Sequence, residues 1–278
     1  MGWLTDAFAS ELTQRALLAG LLAAVTTSVI GTWVVVRGLS FMGDALAHGV
    51  LPGIALAFTW GVDVTIGALV SAAVMVGGID LVHRRARLAE DTGIGLLFVG
   101  MLGLGVILIS STDSYTGSLT SILFGDVLGV TAADLGVLAA VAILVLGVST
   151  LLYRHFLVLS FNEQKARLFG LKPGLAHMAL LSLMTVSIVG SFQTVGTLLV
   201  FGLLVGPPAT AALLVKRVPT MMVTAAVIGM VSVVLGLIVS YYANTSGSAT
   251  MAVIPIGLFF VVLALKSLLR PAPSIVPG

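Results

Sequence analysis

Asp44 and His48 stand four residues apart in an otherwise apolar stretch, Leu39-Ser-Phe-Met-Gly-Asp44-Ala-Leu-Ala-His48-Gly-Val-Leu-Pro52-Gly. On a helix, positions i and i+4 share a face, so carboxylate and imidazole point the same way. An ionised Asp at the centre of a membrane helix costs roughly 2.5–3.5 kcal/mol even on a lenient insertion scale, so such a residue is expected to have a functional partner. Asp and His together are ligands for divalent transition metals. Two other readings stay open: Asp44 hydrogen-bonds a neighbouring helix with His48 as its buried partner, or the pair relays protons.

Ligand arithmetic extends the metal reading. Zn²⁺ takes about four ligands and Mn²⁺ up to about six, whereas this pair supplies two. His83 and His155 flank basic loops and read as solvated interfacial residues, and His177 begins a later apolar stretch. The simplest completion is a two-fold homodimer in which two carboxylates and two imidazoles converge. Two Asp charges then balance a divalent cation. Without metal the facing carboxylates repel, so one is expected to hold a proton that metal binding releases.

The elements that position this pair follow from composition. The chain is 59% hydrophobic and 9% charged over 278 residues, with a mean hydropathy of +1.19. A soluble domain of this size cannot bury so much apolar surface, which leaves a polytopic membrane protein. The absence of cysteine excludes disulfides and thiolate metal sites. Asp6 and Glu11 precede Arg15, and the first apolar stretch is too long for a signal-peptide core, so it reads as a retained span.

Apolar windows of spanning length fall at 15–36, 40–60, 64–82, 92–111, 131–153, 174–191, 194–215, 219–242 and 250–268, about nine spans in a single domain covering 1–278. The spacer Ser191-Phe192-Gln193 is the shortest division. With the N-terminus outside and the C-terminus in the cytoplasm, twelve of the thirteen basic residues fall inside, and only Arg15 lies outside. Trp60, Tyr241 and Tyr242 then sit at outer boundaries and Tyr153 at an inner one. The second span runs inside to outside, and a rise of about 1.5 Å per residue carries His48 about 13 Å into the bilayer, near the midplane where transporter sites commonly lie.

Gly43, Gly49, Pro52 and Gly53 surround the pair, and interrupted helix at membrane depth is tolerated where it lines a cavity or is buried in protein. In the seventh span, Gly206-Pro207-Pro208 is expected to break the hydrogen-bond ladder. Pro52, Pro207 and Pro208 are thus candidate gating kinks, with static packing kinks as the alternative. Outside, 111–130 contains an apolar patch suited to a short interfacial or re-entrant helix. Inside, 159–173 reads as an amphipathic helix with Ser160 or Asn162 as N-cap and Gly170 at its end. Its apolar residues Phe161, Leu168 and Phe169 suggest a docked partner.

Missing motifs narrow the chemistry. There is no Walker loop for ATP, no H-E-x-x-H, no G-x-S-x-G elbow and no basic–aromatic surface for nucleic acid. The chain is therefore not expected to be an enzyme or to hold a resident cofactor.

Four motifs in order resemble the permease subunits of metal-ion ABC importers, the zinc/manganese/iron family. They are Leu39–Gly53, Phe124-Gly-Asp126-Val-Leu-Gly, Asn162-Glu163-Gln-Lys-Ala166-Arg167-Leu-Phe-Gly170, and Val195-Gly196 through Pro207-Pro208-Ala-Thr-Ala. The resemblance spans nearly the whole chain. It implies an all-α permease of the type II, cobalamin-importer-like architecture in the bacterial inner membrane. Also implied are a homodimer, two cytoplasmic ATP-binding subunits and an extracytoplasmic metal-binding protein. Asp44 and His48 would lie on the metal path, and the segment of about 160–171, with Asn162, Glu163, Ala166, Arg167 and Gly170, would be the coupling helix seated on the ATPase. The family usually has Asp where this chain has Asn162, and Asn caps a helix nearly as well. The expected function is import of a divalent transition metal, zinc favoured on its imidazole and manganese next. The alternative is a proton-coupled secondary transporter using Asp44 and His48.

Overall fold

Eleven helices make up most of the residues that this computed structural model describes, which are 10–85, 90–110, 125, 129–161 and 173–269. They are α1 (Glu11–Val36), α2 (Ser40–Gly49), α3 (Leu51–Trp60), α4 (Val64–Arg85), α5 (Glu90–Ser110) and α6 (Ala132–Leu151), then α7 (Tyr153–Phe161), α8 (Pro173–Val195), α9 (Thr197–Leu214), α10 (Val218–Ala243) and α11 (Gly247–Leu269). Among the described residues nine stretches are long and apolar enough to cross a membrane, with α2 and α3 together forming one of them. They follow the apolar windows of the sequence closely.

Local chemistry sets the helix ends. Ser10 caps α1 by accepting the Thr13 N–H at 3.2 Å. At the other end Gly38, at φ +70°, lets the Leu39 N–H reach Val34 O at 2.9 Å and the Gly38 N–H reach Val35 O at 3.1 Å. That double closure is a Schellman turn and ties α2 tightly to α1. Asp63 accepts the Thr65 N–H at 2.7 Å ahead of α4, and its bonds from Thr65 hold the carboxyl below its usual range. Thr131 and Asp134 form a reciprocal capping box at the start of α6. Asn244, in the left-handed region at φ 52°, closes α10.

The core is built around α1, whose spanning window is 72% buried, against 11% for α11. Lipid tails are as apolar as Leu, so membrane helices gain their association from close packing by small residues. Thus α1 presents Ala16, Ala19, Gly20, Ala23, Ala24 and Gly31, all buried, to its neighbours. A Cβ on Gly20 would stand 2.6 Å from Val233 of α10, and one on Gly31 would stand 1.9 Å from the Leu204 carbonyl oxygen of α9. Trp33 fills one end of the core: its indole N–H donates to Ser149 Oγ at 3.2 Å and its rings meet Tyr153 and Phe156.

Several expectations change here. Pro207 and Pro208 lie inside α9, which runs from Thr197 to Leu214, and the ladder bonds their missing N–H groups cannot make are the expected break. Pro208 has no N–H for Leu204 O, and that carbonyl is the group against which the bare Gly31 packs. The division between α8 and α9 falls at Gly196 rather than at 191–193, and its φ 82°, ψ 153° is a backbone region only glycine adopts readily. Ser160 is no N-cap: it lies inside α7 and donates to Phe156 O at 2.8 Å. Arg15, the single basic residue out of register with the charge rule, is paired with Glu11 one turn earlier.

Candidate metal centre

On α2 the buried residues are Met42, Gly43, Ala45, Leu46, Ala47 and Gly49. Phe41 is 41% exposed, and the Asp44 and His48 side chains are 30% and 27% exposed. Positions 41, 44 and 48 follow the i, i+3, i+7 spacing of one helical stripe. The two chemically capable residues therefore occupy the accessible edge of an otherwise buried helix. Two glycines press that helix inward: a Cβ on Gly43 would stand 2.5 Å from Leu204 Cδ2, and one on Gly49 3.2 Å from Met75 Cγ.

The His48 Nδ1–H donates to the Asp44 carbonyl oxygen at 3.2 Å, with Nδ1 also 3.4 Å from Asp44 Oδ1. With Nδ1 so engaged, the neutral form of the ring would keep its Nε2 lone pair for a metal. This is the usual way a ligating histidine is oriented through its other nitrogen. The His48 ring meets Phe98 of α5 edge-on at 5.9 Å, and Phe98 meets Phe41 at 5.4 Å. One wall of the site is thus aromatic.

Immediately beyond His48 the helix stops. Val50 separates α2 from α3, and Pro52 at the second position of α3 has no N–H to offer the His48 carbonyl. The neighbouring Gly49 carbonyl is satisfied from outside, by the Ser71 hydroxyl of α4 at 2.8 Å. The expected interruption at Pro52 is therefore present, and it adjoins the ligand pair. Gly53 and Gly67 clamp α3 to α4 just above, each placed where a Cβ would strike the other's carbonyl oxygen at 2.0 and 2.2 Å.

Among the described residues no group of three or more His, Asp or Glu converges. Asp44 and His48 are brought together, and no third ligand joins them from the same chain. His177 is buried and accepts a hydrogen bond from Arg37 Nη1 at 2.9 Å. His155 is less solvated than expected: it is half-buried, with Nδ1 enclosed and unpartnered among the described residues. Asn162, Glu163, Ala166, Arg167 and Gly170 lie outside the described residues, as does Asp126. Phe98, Ser71 and Met75 were not singled out from sequence. Each is an ordinary span residue whose role appears only when α4 and α5 fold against α2.

Two of the sequence motifs meet away from this site. Gly125, at φ +63°, lies so close to Gly196 that a Cβ would fall 2.3 Å from the Gly196 backbone nitrogen. Phe124-Gly and Val195-Gly thus share one requirement, the absence of side chains where two backbones touch.

The fold is that of a multi-pass α-helical membrane protein with a carboxylate–imidazole pair beside a helix break. The chain belongs to the ABC 3 transport family, whose profile matches residues 9–266. It is 38% identical to the manganese transport system membrane protein MntC of Listeria monocytogenes over 248 residues, covering 89% of this chain and 88% of that protein. It is 33% identical to the chelated iron transport system membrane protein YfeD of Yersinia pestis over 268 residues, covering 96% and 90%. In structure it resembles PsaBC from Streptococcus pneumoniae, solved in complex with Fab, with a TM-score of 0.82, 30% identity and 94% of both chains covered. The chain is thus a membrane permease of an ABC importer.

Proposed function

We propose that this permease imports a divalent transition metal, manganese by preference, along a path that passes Asp44 and His48. The observation that carries the reading is the stripe Phe41–Asp44–His48, accessible on a helix whose other side chains are mostly buried. A carboxylate facing lipid is costly, so this edge calls for a partner surface or a water-filled path. A second copy related by two-fold symmetry supplies both, and doubles the ligand set to two carboxylates and two imidazoles. Such a shell holds a divalent ion and releases it when either protomer turns away.

The preference for zinc inferred from imidazole content gives way to manganese because the relatives carry manganese or iron in their names. Zinc binds more tightly than manganese at nearly any nitrogen–oxygen site, so zinc is the competitor to expect. Two ATP-binding subunits power the cycle from the cytoplasm through 162–172, an extracytoplasmic protein delivers the metal, and the N-terminus lies outside in a bacterial inner membrane. The charge distribution supports this orientation. The test is uptake into vesicles containing the permease with and without its ATPase partner. Manganese accumulation should require ATP and the partner; accumulation driven by a proton gradient alone would overturn the proposal.

A further inference from the structure

Phe41 lies on the same stripe as Asp44 and His48, nearer the Arg37 end of α2, and is 41% exposed. At about 1.5 Å per residue, its ring stands about 4.5 Å to that side of the carboxylate. In the proposed orientation this is the cytoplasmic side. Phe98 of α5 packs edge-on against Phe41 at 5.4 Å and against His48 at 5.9 Å, so its ring spans the turn that carries Asp44.

The register of α5 shows what lies beyond these rings. A Cβ on Gly105, two turns after Phe98, would stand 3.0 Å from Leu51 Cβ and 3.3 Å from Pro52 N. Leu51 and Pro52 likewise follow Asp44 by two turns, so α5 runs alongside α2 and α3 in the same direction. Gly95, one turn before Phe98, is therefore level with Phe41. A Cβ on Gly95 would meet nothing within 4 Å, and neither would one on Gly38, one turn before Phe41. The two phenyl rings thus form a single apolar layer, with the ligand pair on one side and open space on the other.

The layer and the pair treat an ion in opposite ways. Asp44 and His48 can replace the water around a divalent ion, whereas a phenyl ring has no lone pair to offer. An apolar constriction of this kind stops ions by excluding their water.

We propose that Phe41 and Phe98 form an apolar gate on the cytoplasmic side of the ligand pair, which a metal ion passes only when the two rings part. In the proposed dimer, two copies would surround the axis with four such rings. The inference rests on the reading of α2 as a wall of the metal path.

The experiment follows manganese release, without ATP, from preloaded vesicles holding the complete importer. Phe41→Ser and Phe98→Ser lie on different helices, so loss of assembly in one leaves the other to report. Each assembled serine variant should release manganese at least tenfold faster than wild type while a trapped dye stays inside. Phe41→Leu and Phe98→Leu keep an apolar side chain and should stay within about twofold of wild type. Release at the wild-type rate from either assembled serine variant overturns the gate. So does equal release from the leucine and serine variants at one position, or loss of the dye as fast as manganese. Failure of the underlying reading shows separately, as wild-type uptake by Asp44→Ala and His48→Ala.

Discussion

Asp44 is costly where it stands, and its cost is informative. The carboxylate sits on an apolar helix, touches His48, and gains no buried cation among the described residues to balance it. A residue kept for structure should stabilise the protein; one kept for transport should not. Asp44→Asn preserves shape and removes the charge, so the melting temperature in detergent should stay level or rise. A fall equivalent to more than about 1 kcal/mol, the size of an ordinary hydrogen bond, would return the pair to the structural reading. The pair itself was legible in the sequence because Asp and His at i, i+4 in an apolar run have few explanations. Its aromatic wall was not: Phe98 lies fifty residues on, in a span with no periodic signal that distinguishes it from its lipid-facing neighbours.

The spans could be read from apolar length alone, since the bilayer sets it. Their interruptions could not all be read so. At Pro52 a helix boundary falls and the Ser71 hydroxyl takes the neighbouring Gly49 carbonyl, whereas Pro207 and Pro208 lie within α9, where Gly31 of α1 packs on the Leu204 oxygen. What faces a proline's missing hydrogen bond is information held by another helix. Gly31→Ala tests this seam. A Cβ 1.9 Å from a backbone oxygen must force α1 and α9 apart, at a cost of about 1–3 kcal/mol. Gly77→Ala, which meets nothing within 4 Å, is the control and should leave thermal stability unchanged. Equal stability of both variants would show that the seam is looser than its geometry implies.

For the whole molecule, the span count agrees with the fold, and the one basic residue that the charge rule leaves outside is paired with Glu11. In the proposed dimer, two copies of the chain turned so that α2 faces α2 would give the metal path its complete shell. Removing either ligand should open that shell without disturbing the rest of the protein, because both side chains lie on the accessible edge of α2. The decisive measurement is ATP-driven manganese accumulation in vesicles containing the assembled importer, compared between wild type, Asp44→Ala and His48→Ala. Uptake reduced at least tenfold in both variants, with assembly and ATP hydrolysis retained, is the predicted result. Near wild-type uptake in either variant would contradict the account.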